Sequence, residues 1–291
     1  MRIADRMVAA HVLAWIVLTG VGALGLGWLM GSIEADKQDL GAALAGSLLR
    51  VPALILPLGP LLCSLGAGLA AARQISRGER LALELCGLGP WRTARAAAAA
   101  GLLVGTFLWF AAAFVMPVCE AAAIALRPPA PGWIWMEGAA VRESDGLSVR
   151  ARDGQLGAPE RLDATALSGE AIRLARMQQH PRTASASALV SAPYRPARVE
   201  AATRLARIFA CGLLAVLGWL PLAASAPGQV GRALMLGLAW QLADLALQNM
   251  GSQGALPVAA GAWGAICALA LGLLLARVYW SRTWSILADG R

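Results

Sequence analysis

Few residues in this chain have the type and spacing to do chemistry, and most of those carry charge inside or beside apolar sequence. Asp244 falls in the middle of an apolar run, with Gln241 three residues before it and Gln248 four residues after. On a helix these three share one face. An ionisable group in a run of membrane length turns toward a cavity or another helix, not toward lipid. The stripe reads either as a hydrogen bond within a helix bundle or as the lining of a cavity. Lys37, Arg50, Arg204 and Arg207 fall near the ends of apolar runs. They read either as cations snorkelling to an interface or as a basic collar for an anionic lipid headgroup. Arginine suits the second task, since it binds phosphate bidentately and stays charged.

Several chemistries are missing. A phosphate-binding P-loop needs a lysine after glycine, but Lys37 is the only lysine and follows Asp36. The two histidines, His11 and His180, are far apart, so no metal cluster and no Ser/His/Asp constellation follows from spacing. His180, next to Pro181, reads as a loop residue. The five cysteines, Cys63, Cys86, Cys119, Cys211 and Cys267, form no CxxC and no framework, and read as small apolar fillers. No metal, no cofactor and no catalytic residue is expected.

The elements that must position these residues are membrane spans. Of 291 residues, 58% are hydrophobic and only 14% charged, against about 25% charged in a soluble domain. The net charge of +8 does not point to nucleic acid, because the arginines sit beside apolar runs and form no separate basic domain. Apolar runs long enough to span fall at 7–30, 47–72, 96–117, 204–226, 233–250 and 257–278. The first is too long for the core of a signal peptide and reads as an anchor. Arg50, Pro52, Pro57 and Pro60 predict an irregular start to the second. Glycine pairs at 27 and 31 and at 101 and 105 match close helix packing. Short-loop arginines set orientation. Arg2, Arg6, Arg73, Arg77, Arg80, Arg92, Arg95, Arg232, Arg277, Arg282 and Arg291 share one side, against Lys37 and Arg50 on the other. Both termini are therefore expected in the cytoplasm, with residues 127–202 outside.

That outer segment differs in character. Residues 133–136, 147–152 and 172–177 read as strands, and Asp145-Gly146 and Asp153-Gly154 as hairpin turns. Proline-rich necks at 128–131 and 193–196 bracket it. The expected fold is an α-helical polytopic membrane protein with six transmembrane helices. A small extracytoplasmic β domain of about six strands is inserted between the third and fourth. The chain divides into 1–126, 127–202 and 203–291.

Residues 76–91 predict a short surface helix between the second and third spans. Ser76 and Glu79 have capping-box spacing. Leu81, Leu83, Leu85 and Leu88 supply apolar contacts, Gly87 and Gly89 a stop, and Pro90 opens the next helix.

Two motifs in this layout carry a resemblance. Residues 78–89, Gly-Glu-Arg-Leu-Ala-Leu-Glu-Leu-Cys-Gly-Leu-Gly, are similar to the cytoplasmic coupling-helix motif of the lipopolysaccharide-export permeases, the LptF/LptG family. Gly254-Ala-Leu-Pro257 resembles that family's turn before its last helix. The resemblance implies a bacterial inner-membrane permease subunit of an ABC-type lipopolysaccharide exporter. Glu79, Leu83, Gly87 and Leu88 would couple it to a cytoplasmic ATPase dimer. A second permease subunit of the same family would complete the cavity, with the first and fifth helices as lateral gates. A single-span periplasmic lipid-bridge protein would receive the lipid. Lys37, Arg50, Arg204 and Arg207 would meet its headgroup, and Trp133 and Trp135 its acyl chains on the way into the β domain. The family's outer domain is a jelly roll of well over a hundred residues, so the shorter segment here implies a truncated or open roll. The rival readings are the permease of another ABC lipid or lipoprotein exporter, and a non-transporting scaffold for a periplasmic complex. A scaffold has no need of an acidic helix between spans two and three.

Overall fold

Backbone that crosses hydrocarbon must satisfy its own hydrogen bonds, and a helix does so within one segment. The computed structural model describes residues 3–33, 45, 48–49, 56–119, 122, 133–136, 139–142, 147–152, 155–156, 160–161, 189–190, 195–220 and 225–289. Helix α1 spans Ile3–Ile33. A 3-10 turn at Leu56–Leu58 leads into α2 (Gly59–Arg77), with Pro60 in its first turn. The short α3 is Glu79–Leu85. Helix α4 begins at Pro90–Phe110 and continues through a π-helical segment, Ala111–Val115, to Cys119. Then come α5 (Arg195–Trp219), α6 (Ala226–Gln253) and α7 (Val258–Asp289). Six of these are long and apolar enough to cross a membrane, which makes the chain a multi-pass membrane protein by the length and composition of its helices.

Helix ends lie beyond several apolar runs, because polar residues continue the backbone ladder where hydropathy fades. Helix α4 starts at Pro90 rather than 96, with its ring in the first turn where no N–H is needed. Helix α5 starts at Arg195 rather than 204. Residues 195–196 of the expected neck are therefore helical, residues 193–194 lie outside the described residues, and the boundary expected at 202 falls inside α5. Ser225 caps α6 by accepting from Gly228 N–H at 3.3 Å.

Helix α5 is central and packs against α2, α4, α6 and α7, while α1 lies against α2 and α4. The core between them is built of small side chains, among them Ala67, Ala70, Ala97, Ala100 and Ala215. Small residues let backbones approach, which is how helices associate where no water is left to expel. A methyl group on Gly101 would stand 2.5 Å from the carbonyl oxygen of Cys211, and one on Gly105 2.8 Å from Ile208 Cα. This glycine pair is the α4–α5 contact. Nothing lies within 4 Å of the corresponding position on Gly27.

Between α4 and α5 in sequence, described residues pair as antiparallel strands: β1 (Trp133–Met136), β2 (Ala139–Arg142), β3 (Leu147–Arg152), β4 (Gln155–Leu156) and β5 (Glu160–Arg161). In the β3–β4 ladder Arg152 pairs with Gln155 and Ala151 with Leu156, and the turn expected at Asp153-Gly154 lies outside the described residues. The strand expected at 172–177 lies outside the described residues.

Overpacking at the glycine contact is expected to destabilise the bundle. Gly101→Leu should cost about 1–3 kcal/mol, read as a fall of several degrees in the unfolding temperature in detergent. Gly27→Leu, in open space, should leave that temperature unchanged or slightly higher.

Candidate functional site: a polar clasp and a surface helix

Near the far end of the bundle from α3, Arg204 and Arg207 turn inward to acids of the fold, while Arg195 and Arg198 are exposed. Glu200, Arg204 and Arg207 follow one face of α5. Arg204 Nε donates to Glu200 Oε1 at 3.2 Å, one turn apart, and the two side chains are only 5% and 8% exposed. Arg207 Nη2 lies 3.7 Å from Asp244 Oδ2 on α6. Gln248 Nε2 donates to the same carboxylate oxygen. Two carboxylates thus face two guanidiniums in an apolar surround, which is the condition for keeping charge there.

The third helix joins through its backbone. In the π segment of α4, Met116 N–H donates to Ala111 O. The next bond of that register would run from residue 117 to Ala112 O, but residue 117 is proline and has no N–H. Arg204 Nη1 donates to Ala112 O instead, at 3.2 Å. One arginine therefore ties α4, through a carbonyl that Pro117 cannot serve, to the acid on its own helix.

Beside this clasp, Arg195 Nε donates to Gly251 O at 2.9 Å, and its Nη2 donates to Leu256 O. These carbonyls belong to the α6–α7 turn, where Gly254 takes φ +91°. The Gly-Ala-Leu-Pro turn is thus held by the first residue of α5.

At the opposite end stands α3. The capping box expected from Ser76 is not formed. Helix α2 runs through Arg77, and Ser76 Oγ donates back to Arg73 O at 2.9 Å. Gly78, at φ +69°, ends α2 and reverses the chain within one residue, so α3 starts at Glu79 with no side-chain cap. The stop matches expectation. Gly87 N–H donates to Glu84 O and Leu88 N–H to Leu83 O, both at 2.9 Å, with Gly87 at φ +75°. That is a Schellman ending.

The leucines of α3 divide between two faces. Leu83 and Leu88 turn inward over a cleft floored by Ala71 and Gln74 of α2, Thr93 of α4 and Trp219 of α5. Trp219 Nε1 donates to Thr93 Oγ1 at 3.0 Å within it. Leu81 and Leu85, one turn apart, point away from the bundle and are 63% and 80% exposed. Glu79 is exposed and lies 3.6 Å from Arg77, and Arg80 Nε bonds Glu84 Oε1 at 3.0 Å. Exposed pairs of this kind contribute little to stability.

Of the residues singled out from sequence, Arg204, Arg207, Asp244 and Gln248 come together, with Gln241 half-buried one turn before Asp244. Lys37 and Arg50 lie outside the described residues. Trp133 and Trp135 are in β1. Sequence reasoning missed Glu200, although its spacing to Arg204 is that of a helical ion pair. It also missed that Leu81 and Leu85, rather than Leu83 and Leu88, form the outward face. Among the described residues no cluster of His, Cys, Asp or Glu is placed to hold a metal.

Removing one partner of a buried pair strands the other. Arg204→Met should therefore cost about 3–5 kcal/mol. The double change Arg204→Met with Glu200→Leu should recover most of that loss. Thermal unfolding of the four variants of this cycle in detergent decides it, and additive losses would show that the two groups are not coupled.

No known family model matches the chain, and no curated protein matches it.

Proposed function

We propose that the chain is a permease subunit of an ABC-type exporter, drawing lipopolysaccharide from the outer leaflet of a bacterial inner membrane. ATP hydrolysis belongs to a separate cytoplasmic ATPase dimer. The observation that carries this reading is α3. It is a seven-residue helix between two spans, seated by Leu83 and Leu88 and presenting Leu81 and Leu85 outward. Beyond the bilayer, two adjacent exposed leucines flanked by charge make a docking knob for a soluble partner. The seat beneath touches α2, α4 and α5 together, so a push on α3 is delivered to three spans at once.

The same reading assigns the other parts. Both termini and α3 face the cytoplasm, as the short-loop arginines require. The strand segment lies in the periplasm as a small open or truncated jelly roll. There β1, with Trp133 and Trp135, receives acyl chains and passes them to a single-span lipid-bridge protein. Exposing an acyl chain costs about 0.8 kcal/mol per CH₂, so a multi-chain lipid needs a shielding wall. A second subunit of the same family supplies the other half of that wall. Helix α1 suits a lateral gate, since its apolar residues Val17, Leu18 and Val21 are exposed and its main packing is on α2 and α4. Arg204 and Arg207 are engaged within the clasp, which leaves Lys37 and Arg50 as the headgroup contacts of this scheme.

Two measurements test the reading. Replacing Leu81 and Leu85 by aspartate removes two buried leucines from the docked state, about 1.5–3 kcal/mol each. ATPase capture in mild detergent should then fall about a hundredfold or more, while insertion and thermal stability persist. Glu79→Lys should weaken capture less, and Glu84→Gln least. Unchanged capture by the double variant would exclude α3 as the docking element. If the leucines lie in the headgroup layer instead, the aspartates will release α3 to protease without touching ATPase capture. For topology, a reporter active only in the cytoplasm should work when fused at Arg291 and fail when inserted at Gly154.

A further inference from the structure

We infer that the α3 end of the bundle carries a second lipid site, a groove between α4 and α7 that holds an anionic phospholipid by its phosphate. The groove is open to solvent and offers about 660 Å³ of free space. Arg92 and Arg95 of α4 and Arg277 of α7 converge on it, Trp91 stands at its rim, and Ala98 with Val216 of α5 makes its floor. Among the described residues no acidic side chain lines it.

Three guanidiniums around one space repel each other unless something answers their charge. At four arginines elsewhere in the chain the fold provides the answer. Arg77, Arg80, Arg204 and Arg207 each have a carboxylate at 3.0–3.7 Å. Arg92, Arg95 and Arg277 have none among the described residues. Two of them also sit in the first two turns of α4, where the helix dipole is positive and the first turn contains no acid. That placement is unfavourable for an empty groove and favourable for one holding a phosphate.

The shape selects a lipid over a free anion. Ala98 and Val216 give the groove an apolar floor that a bare phosphate would leave unused. Leu274, one turn before Arg277 on the same face of α7, is 59% exposed and extends the apolar surface along the span. Trp91, in the first turn of α4, lines the groove, and tryptophan is enriched at the headgroup level of a bilayer. Basic pockets between spans on the cytoplasmic side are the setting in which doubly anionic phospholipids are held. A lipid with two phosphates matches three arginines better than a lipid with one. The groove is distinct from the clasp, which sits about 30 Å away along α4, taking the rise of a helix from Pro90 to Ala112.

This inference uses the topology proposed above only to say which leaflet supplies the lipid, and it does not depend on the transport reading. The test is lipid retention by the purified full-length chain, in nanodiscs of phosphatidylcholine containing graded tetraoleoyl cardiolipin and read by native mass spectrometry. Each arginine near an anionic surface is worth about fivefold in binding. The triple change Arg92→Gln, Arg95→Gln, Arg277→Gln should therefore weaken cardiolipin retention about a hundredfold. The matching triple change to lysine should stay within about tenfold of the unmodified chain, and Arg6→Gln, outside the groove, should match it. Ala98→Trp keeps every charge and fills the floor. It should weaken retention at least several-fold, and it decides the matter if the triple glutamine variant does not fold. Retention unchanged in a folded triple glutamine variant, or unchanged by Ala98→Trp, would overturn the site. So would displacement of cardiolipin by millimolar glycerol phosphate, which would show that the groove recognises a free anion. The aspartate changes at Leu81 and Leu85 should leave cardiolipin retention intact, so failure of the docking reading and failure of this one give different results.

Discussion

Everything in the half of the bundle remote from α3 is organised around the need to keep Arg204 neutralised out of water. An unpaired guanidinium there would cost several kcal/mol, so its surroundings are fixed by what can accept its protons. Glu200 supplies one acceptor from the preceding turn. Ala112 O supplies another, and it is free to do so because Pro117 cannot donate to it in the π register. Arg207 and Asp244 repeat the scheme between α5 and α6. Three helices are thereby set in depth and rotation by polar contacts, where apolar packing alone would allow sliding.

Between this clasp and α3, the bundle relies on the opposite device. There the side chains almost vanish. Ala97, Ala100, Gly101 and Gly105 of α4 meet Cys211 and Ala215 of α5 at backbone distance. Dispersion contacts at close range replace charge as the cohesive force. Helices α2, α4, α5 and α6 form one cross-linked body, with Ser64 Oγ donating to Ala233 O at 2.7 Å between α2 and α6. Helix α1 has apolar packing and the Arg73–Trp15 cation–π contact with α2, at 5.8 Å, but shares in none of the clasp. A helix motion that leaves the buried ion pairs intact is therefore open to α1 relative to that body.

The six spans were legible because hydropathy over some 20 residues is a strong signal. Their ends were not. Arg195–Thr203 is polar enough to fall outside the apolar run, yet it is helical, and its Glu200–Arg204 pair turns polarity inward. The stop of α3 could be read from Gly87 and Pro90, since only certain backbones fit there. Its start was misread, because Ser76 has two uses for one hydroxyl, capping forward or bonding back, and sequence does not rank them. The polar stripe at Gln241, Asp244 and Gln248 was visible as a periodicity, but its partner on α5 was not. Pairing across helices depends on rotations that no single segment encodes. For the same reason the four basic residues looked like one collar, although Arg204 and Arg207 are committed to acids within the fold.

The two bonds of Arg195 have a mechanical meaning. This residue is where the chain returns from the strand segment, and it grips the carbonyls of Gly251 and Leu256 in the α6–α7 turn. Tension on the returning chain therefore does not fall on α5 alone. It is shared with two further helices through a guanidinium that works as a yoke. Slack in that connection would let the strand segment swing independently, whereas the yoke makes any tilt of the segment's exit a torque on the three C-terminal spans. The end of α6 and the Gly-Ala-Leu-Pro turn then serve together as an anchorage, each offering one carbonyl to the same side chain.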